Sequence, residues 1–347
     1  MLADEVDYVI GMDTHRDFHT LGIVQASTGG LAFEAEVTAN ARGYAKALRL
    51  AGEHARGRRA WAIEGTGSYG AGLARFLCAR GERVLEVNRP KRDGRSLAKS
   101  DPIDAIRAAR TLLGREKLAQ PRVGGKREAV RALVTTREGA LKAKKAGLCQ
   151  LRALLVCLPE PLRSELRGLT RSTLLGRCAH LRPQQHRDGE LRGALVSLRA
   201  LARRVETLTL EERELAREIR TLVVELAPQL LAEPGVGPIS AAQLLVSYSH
   251  QGRFKSEAAF ARLAGTAPIE ASSGERKRHR LDPGGDRQLN RALHTIIISR
   301  RKHHAKTIAY IARRQSEGKT AREAIRSLKR YLARHLFRVL TATPAPA

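Results

Sequence analysis

The chain has 347 residues, with 63 Lys or Arg against 35 Asp or Glu and a formal net charge of +28. That length allows two or three domains, and the charge excess points to a polyanionic partner, of which nucleic acid is the commonest. There is no run of 18 apolar residues and no signal peptide, which argues against a membrane-inserted protein, and with only 4% aromatic residues phosphate contacts should outweigh base stacking.

Residues 6–12 read as a buried strand carrying Val6, Val9 and Ile10. Strands at 18–26 and 31–37 flank a Thr28-Gly29-Gly30 turn. Asn40 is placed to cap a helix that runs through Leu48. Arg59–Glu64 is a fourth strand, 69–80 a helix stopped by Gly81, 84–87 a fifth strand, and Asp101 opens a helix to about Leu113. Three hairpin-type strands followed by alternating helix and strand is the order of an RNase H-like α/β domain.

Residues 115–182 hold 16 Lys or Arg, 5 Glu and no Asp, with helix signals from Lys126 to Leu158. After a polar link at Pro183–Asp188, Leu191, Leu198, Val205, Ile219 and Leu226 recur at heptad spacing, with Glu212 in the remaining place of the series. Ala194, Leu201, Leu208, Leu215 and Leu222 form a second series offset by three. Two apolar seams over five heptads predict a coiled coil and self-association; the alternative is one long helix packed on its own chain. Pro228 ends this helix. Pro234-Gly235-Val236-Gly237-Pro238 then separates two short helices, as a helix–hairpin–helix or a plain turn would. The rest is basic and helical, with a tail from Thr341. The domain division expected is 1–125, 126–230 and 231–340, followed by residues 341–347.

Four acidic residues stand out: Asp13 in G-M-D-T-H, Glu64 in A-I-E-G-T-G, and Asp101 and Asp104 in K-S-D-P-I-D. Acids at the ends of buried strands need solvent or a cation. Asp101-Pro102 with Asp104 is also a good helix start, with an N-cap, Pro at the first helical position and an acid that suits the dipole. Positions i and i+3 share a helix face, so capping and metal binding are compatible. Carboxylates so placed suit hard divalent cations, and two Mg²⁺ ions are the cofactor expected. Cys78, Cys149, Cys157 and Cys178 form no C-x-x-C pair, and Cys178 with His180 and His186 fits no common zinc spacing.

Further on, A-S-S-G precedes Arg276, Lys277, Arg278, His279 and Arg280. A Ser-Gly pair is usually just a turn. Beside such cations a serine could also serve phosphodiester chemistry, which needs positive charge at the transition state.

These motifs together resemble the DEDD transposases of insertion sequences, the group that includes the Piv DNA invertases. The resemblance also rests on P-G-V-G-P-I-S-A, on L-A-G-T-A-P-I-E-A-S-S-G and on G-G-D-R-Q-L-N-R-A-L, and it covers residues from about 8 to 340. It implies a RuvC-like N-terminal domain, a coiled coil and a mostly helical C-terminal transposase domain. Asp13, Glu64, Asp101 and Asp104 match the family's catalytic, metal-binding tetrad. Its catalytic serine falls on Ser273, with Ser272 as the neighbouring register. The resemblance implies a recombinase that exchanges DNA strands through a phosphoserine and is guided by a structured RNA. It implies donor and target DNA and a homo-oligomer as partners, no membrane, and a bacterial cytoplasmic, nucleoid-associated location. Arg276, Lys277, Arg278, Arg280 and Arg287 are the expected nucleic-acid contacts. Asp282-Pro283 departs from the family pattern. Two other readings remain open: a RuvC-like nuclease that hydrolyses DNA with water, and a non-catalytic nucleic-acid-binding protein.

Overall fold

The computed structural model describes residues 1–87, 101–116, 118–122, 124–160, 162–270, 279–280 and 282–342, with the backbone alone at Asp101, His279 and Arg280. The chain divides into two compact units: residues 1–129 with 232–236 and 243–347, and residues 130–231 with 237–242.

The first unit begins with a five-stranded sheet. Its strands are β1 (Tyr8–Thr14), β2 (Phe18–Gln25), β3 (Leu31–Thr38), β4 (Arg59–Glu64) and β5 (Val84–Val87), in the spatial order β3-β2-β1-β4-β5. β1 pairs antiparallel with β2 and parallel with β4; β4 pairs parallel with β5. Helix α1 (Ala41–His54) is capped by Asn40, whose side chain accepts from Gly43 N, as the sequence predicts. Helix α2 (Ala71–Cys78) starts two residues later than predicted. Gly65, at φ +69°, turns the chain, and its carbonyl accepts from Ser68 N and Gly70 N, so 65–70 form a loop instead of a first helical turn. Asp13 lies within β1 and not after it.

Side chains alternate across the sheet. Ile10, Met12, Trp61 and Ile63 face one way, into a core with Leu50, Leu73 and Leu77 from α1 and α2. Val9, Ala60, Ala62, Leu85 and Val87 face the other way, against Ala108, Ala109 and Leu112 of α3 (Asp101–Leu113).

The second unit is helical. It holds most of α4 (Gly125–Val156), then α5 (Leu162–Arg167), α6 (Arg171–Ala179), α7 (Gly189–Leu226) and α8 (Pro228–Leu231). Asp188 caps α7 by accepting from Leu191 N. The predicted heptad helix is therefore one unbroken rod, but part of its seam is covered by the same chain. Gly147 of α4 faces Val205, with the glycine Cβ position 3.0 Å from Val205 Cγ2, and Leu151 shares a core with Leu198, Leu201 and Ala202. Glu212, the polar residue within the seam, receives Arg137 at 2.5 Å and Lys144 at 2.8 Å from α4. Residue numbers fall along α4 as they rise along α7, so the two helices pack antiparallel.

The first unit resumes with the end of α9 (Pro238–Tyr248), α10 (Glu257–Leu263), short strands β6 (Ile269–Glu270) and β7 (His279–Arg280), and α11 (Arg287–His303), α12 (Ala305–Ser316) and α13 (Ala321–Ala342). Tyr248, Phe254, Phe260 and Phe337 form its aromatic core. β6 and β7 pair antiparallel through Ile269–Arg280 and Glu270–His279. The G-D-R-Q-L-N motif holds this region together. Asp286 caps α11 through Gln288 N and Leu289 N and accepts from the Ser247 hydroxyl; Asn290 Nδ2 donates to Ala264 O; and Lys329 Nζ donates to Asn290 Oδ1. No helix among the described residues is long and apolar enough to cross a membrane.

Candidate active site

Asp13 and Glu64 belong to adjacent parallel strands and to the alternation that faces α3. Met12 pairs with Ile63, so Asp13 and Glu64 are next in register, and the Thr14 hydroxyl ties the strand ends by donating to the Glu64 carbonyl at 2.9 Å. The Asp13 side chain is 16% exposed, and its Oδ2 lies 3.2 Å from Nε2 of His15. A carboxylate at the end of a buried strand thus has an imidazole beside it and a helix over its face.

Two glycines set how close that helix comes. Gly11 and Gly22 are cross-strand partners on the α3 face. A Cβ on Gly11 would overlap the Ala105 carbonyl oxygen and come within 3.0 Å of Ala109 N; one on Gly22 would come within 3.0 Å of Ile106 Cγ1. The first turns of α3 therefore lie directly on β1 and β2, at the end of the helix that carries Asp101 and Asp104. Asp104 is 38% exposed and accepts from Arg107 at 3.0 Å. The Asp101 side chain lies outside the described atoms. Among the described residues, no group of three or more His, Cys, Asp or Glu side chains is gathered closely enough to hold a metal. The donor chemistry nevertheless suits a hard cation: Asp13 and Glu64 offer oxygen ligands from one sheet face, and α3 brings a third carboxylate to the same side.

Ser272 and Ser273 lie outside the described residues, as do Arg276, Lys277 and Arg278; the side chain of Arg280 is likewise outside. β6 and β7 bracket that segment. Arg287 opens α11 and is exposed.

One cluster carried no signal in the sequence. The loop that leaves Glu64 is anchored by Thr66, which is fully buried. Its hydroxyl donates to the Glu86 carboxylate and accepts from Arg122 N at 2.8 Å. Burial pushes the Glu86 carboxyl up, and the Arg122 and Arg253 charges oppose that shift. Nearby, buried His250 is pushed down to about 4 by burial and by the positive charges of Arg122, Arg253 and Arg127. Arg127 donates to Ser249 O at 2.6 Å, and Arg253 donates to Ser247 O at 2.8 Å. Ser249 holds φ +66°, unusual for a residue with a Cβ. The segment from Leu118 to Arg127 thereby meets residues 247–253, with Gln120 N donating to Gln251 O. Read in sequence, these arginines belong to a general basic excess; only their half-buried setting and their bonds to backbone carbonyls mark Arg127 and Arg253 as structural.

A family model described as "Transposase", of the DEDD IS110 type, matches residues 10–158, and one described as "Transposase IS116/IS110/IS902 family" matches residues 227–312. The chain belongs to the IS110-type DEDD transposases. The first match takes in Asp13, Glu64, Asp101 and Asp104, and the second takes in Ser272 and Ser273. A relative from Streptomyces coelicolor, named "Insertion element IS110 uncharacterized 43.6 kDa protein", is 34% identical over 133 residues, which is 38% of this chain and 33% of that protein. The alignment thus spans about a third of the relative's length.

Proposed function

We propose that this IS110-type protein is a transposase that cuts and rejoins DNA through a serine–phosphate bond, using a RuvC-like carboxylate site. The observation that carries this reading is the shared sheet face of Asp13 and Glu64, with α3 seated over it by Gly11. The strand order β3-β2-β1-β4-β5 supports the RuvC-like assignment, and the two family matches support transposition.

Asp13, Glu64, Asp101 and Asp104 would hold Mg²⁺. When bound, a pair of such ions neutralises charge on the attacking and leaving oxygens of a phosphoryl displacement. His15 orients the Asp13 carboxylate, and Thr14 and Thr66 fix the strand end and the loop on either side of Glu64. Ser273 Oγ gives up its proton and attacks phosphorus. An Oγ–P bond forms, the bond from phosphorus to the 3′ oxygen breaks, and that oxygen leaves as a protonated hydroxyl. The 3′ hydroxyl of another strand then attacks the same phosphorus and loses its proton, and Ser273 recovers its hydroxyl. One phosphodiester is exchanged for another, so no energy-supplying cofactor is required.

The charge of +28 supports binding to donor and target DNA and to a structured guide RNA. Self-association would use the part of α7 that α4 leaves open: Val196, Leu210 and Val224 are exposed at a 14-residue spacing, one stripe of a heptad helix. The location is the bacterial cytoplasm, with the nucleoid. The test is a DNA-cleavage assay read on a denaturing gel. Parent protein forms a covalent protein–DNA adduct in Mg²⁺, and Asp13→Asn and Ser273→Ala do not. Cleavage without any adduct would favour hydrolysis by water.

A further inference from the structure

Glu64, Asp13 and Thr20 stand in one row across β4, β1 and β2. Asp13 pairs directly with Thr20, just as Gly11 pairs with Gly22 two residues away on the same two strands. Alternation therefore puts Thr20 on the sheet face that α3 covers. Helix α3 runs from the Asp13 end of β1 towards Val9: Ala105 meets Gly11, and Ala109 and Leu112 share a core with Val9. Ile106 lies over Gly22, so Thr20 sits one step nearer the start of the helix.

Thr20 is 5% exposed. The other two threonines of the site use their hydroxyls within the fold: Thr14 donates to the Glu64 carbonyl and Thr66 to the Glu86 carboxylate. The Thr20 hydroxyl has no hydrogen-bond partner among the described residues. A buried hydroxyl without a partner costs the fold stability, and valine would fill the same space without that cost. The hydroxyl thus points to a role outside packing.

Few side chains suit a place beside two carboxylates that take a dication. Another acid would add repulsion, and a lysine or arginine would compete with the cation. A hydroxyl adds no charge and can donate to a carboxylate, which accepts in roughly four directions. Opposed residues of antiparallel strands hold their Cβ atoms about 5 Å apart, so a change of χ1 well brings such a hydroxyl within reach of its partner. Carboxylates that ligate metals are commonly oriented by hydrogen bonds of this kind.

We infer that Thr20 is a positioning residue of the carboxylate site, its hydroxyl donating to Asp13 and fixing how that carboxylate meets a divalent cation. The inference rests on the metal reading of Asp13 and Glu64 above, but not on Ser273 or on nucleic acid.

The test is thermal melting of the full chain, without nucleic acid, in EDTA and across a Mn²⁺ series. The melting temperature of the parent should rise with Mn²⁺, because binding to the folded state stabilises it. Thr20→Val should melt at or above the parent in EDTA, yet need roughly tenfold or more Mn²⁺ for the half-maximal rise. Thr20→Ser keeps the hydroxyl and should respond to Mn²⁺ as the parent does. A Thr20→Val protein that is unfolded or melts lower in EDTA overturns the inference, because the hydroxyl then serves the fold. An unchanged Mn²⁺ requirement in Thr20→Val, or a raised one in Thr20→Ser, overturns it as well. Asp13→Asn should lose the Mn²⁺ response. If Asp13→Asn responds as the parent does, or the parent does not respond, the metal reading itself fails and takes this inference with it. That result is distinct from failure at Thr20 alone.

Discussion

Gly11 lies directly beneath the carbonyl of Ala105, and any Cβ at position 11 would overlap that oxygen. The obstacle is helix backbone, so no side-chain rotation relieves it; α3 itself must move, taking Asp104 with it. Gly11→Ala should cost about 1–3 kcal/mol of stability. A shift of α3 of about 1 Å should lower strand-cleavage rate on the order of a hundredfold. Gly22→Ala meets a side-chain atom, Ile106 Cγ1, and should be milder in both measures. Urea unfolding and single-turnover cleavage read the two effects; a fully active Gly11→Ala would rule out the seating role.

Thr66 should act through the loop that follows Glu64. Thr66→Val removes the donor to Glu86 and the acceptor for Arg122 N, leaving buried polar atoms unsatisfied at about 1–3 kcal/mol. Thr66→Ser keeps both bonds. If the hydroxyl positions Glu64, Thr66→Val should require more Mg²⁺ for half-maximal cleavage, and Thr66→Ser should restore the parental requirement. An unchanged metal requirement in Thr66→Val would reduce Thr66 to a stability residue.

His250 makes stability depend on pH. Its imidazole is held neutral in the fold down to about 4, against an ordinary value of 6.5. As pH falls, the unfolded chain therefore takes the proton first, and stability present above pH 6.5 is lost towards pH 4. The full loss is roughly 3 kcal/mol. Glu86 works in the opposite sense: its carboxyl is raised by burial, so its contribution is present in acid and fades as pH rises. His250→Gln should flatten the acid limb of a melting-temperature profile. If parent and variant lose stability in parallel between pH 6.5 and 4, the buried imidazole is not the cause.

Glu212 separates the two meanings of the heptad pattern. If that place in the seam faced another copy of the chain, Glu212→Leu would complete the stripe and stabilise the protein. Its carboxylate instead holds Arg137 and Lys144, whose side chains are 17% and 20% exposed. Glu212→Leu should therefore destabilise by about 1–3 kcal/mol, because two cations lose their partner. A separate double variant, Leu210→Glu with Val224→Glu, should reduce the sedimentation mass if the open stripe joins protomers.

Much of the sheet and its carboxylates was legible because local chemistry decides it. Alternation and turn glycines mark the strands, Asn40 marks the start of α1, and Asp101-Pro102 marks the start of α3. The approach of α3 was not legible, because a glycine in a strand does not name what lies above it. The Thr66–Glu86–Arg122 cluster was hidden for a related reason. Its members are distant in sequence, and half-buried arginines read the same as surface ones. Part of the basic excess thus serves the fold: Arg127, Arg137 and Lys144 all hold partners within the chain. In the same way, the heptad period of α7 describes a seam without saying whose helix fills it.

The metal requirement can be read without knowing the target sequence. Cleavage should proceed in Mg²⁺ or Mn²⁺ and stop in EDTA, and Asp13→Asn should keep DNA affinity while losing cleavage, since it removes one negative charge near phosphate. Cleavage that persists in chelator would exclude a metal role for the four carboxylates.

The most direct measurement is the fate of the DNA phosphate during cleavage. Labelled DNA is incubated with the parent, Ser272→Ala, Ser273→Ala and Asp13→Asn proteins in Mg²⁺, quenched and resolved under denaturing conditions. Label should be covalently attached to the parent and to Ser272→Ala, at a phosphoserine mapped to residue 273, and none should be attached to Ser273→Ala or Asp13→Asn. DNA cut equally well by the parent and Ser273→Ala, with no label on either protein, would contradict it.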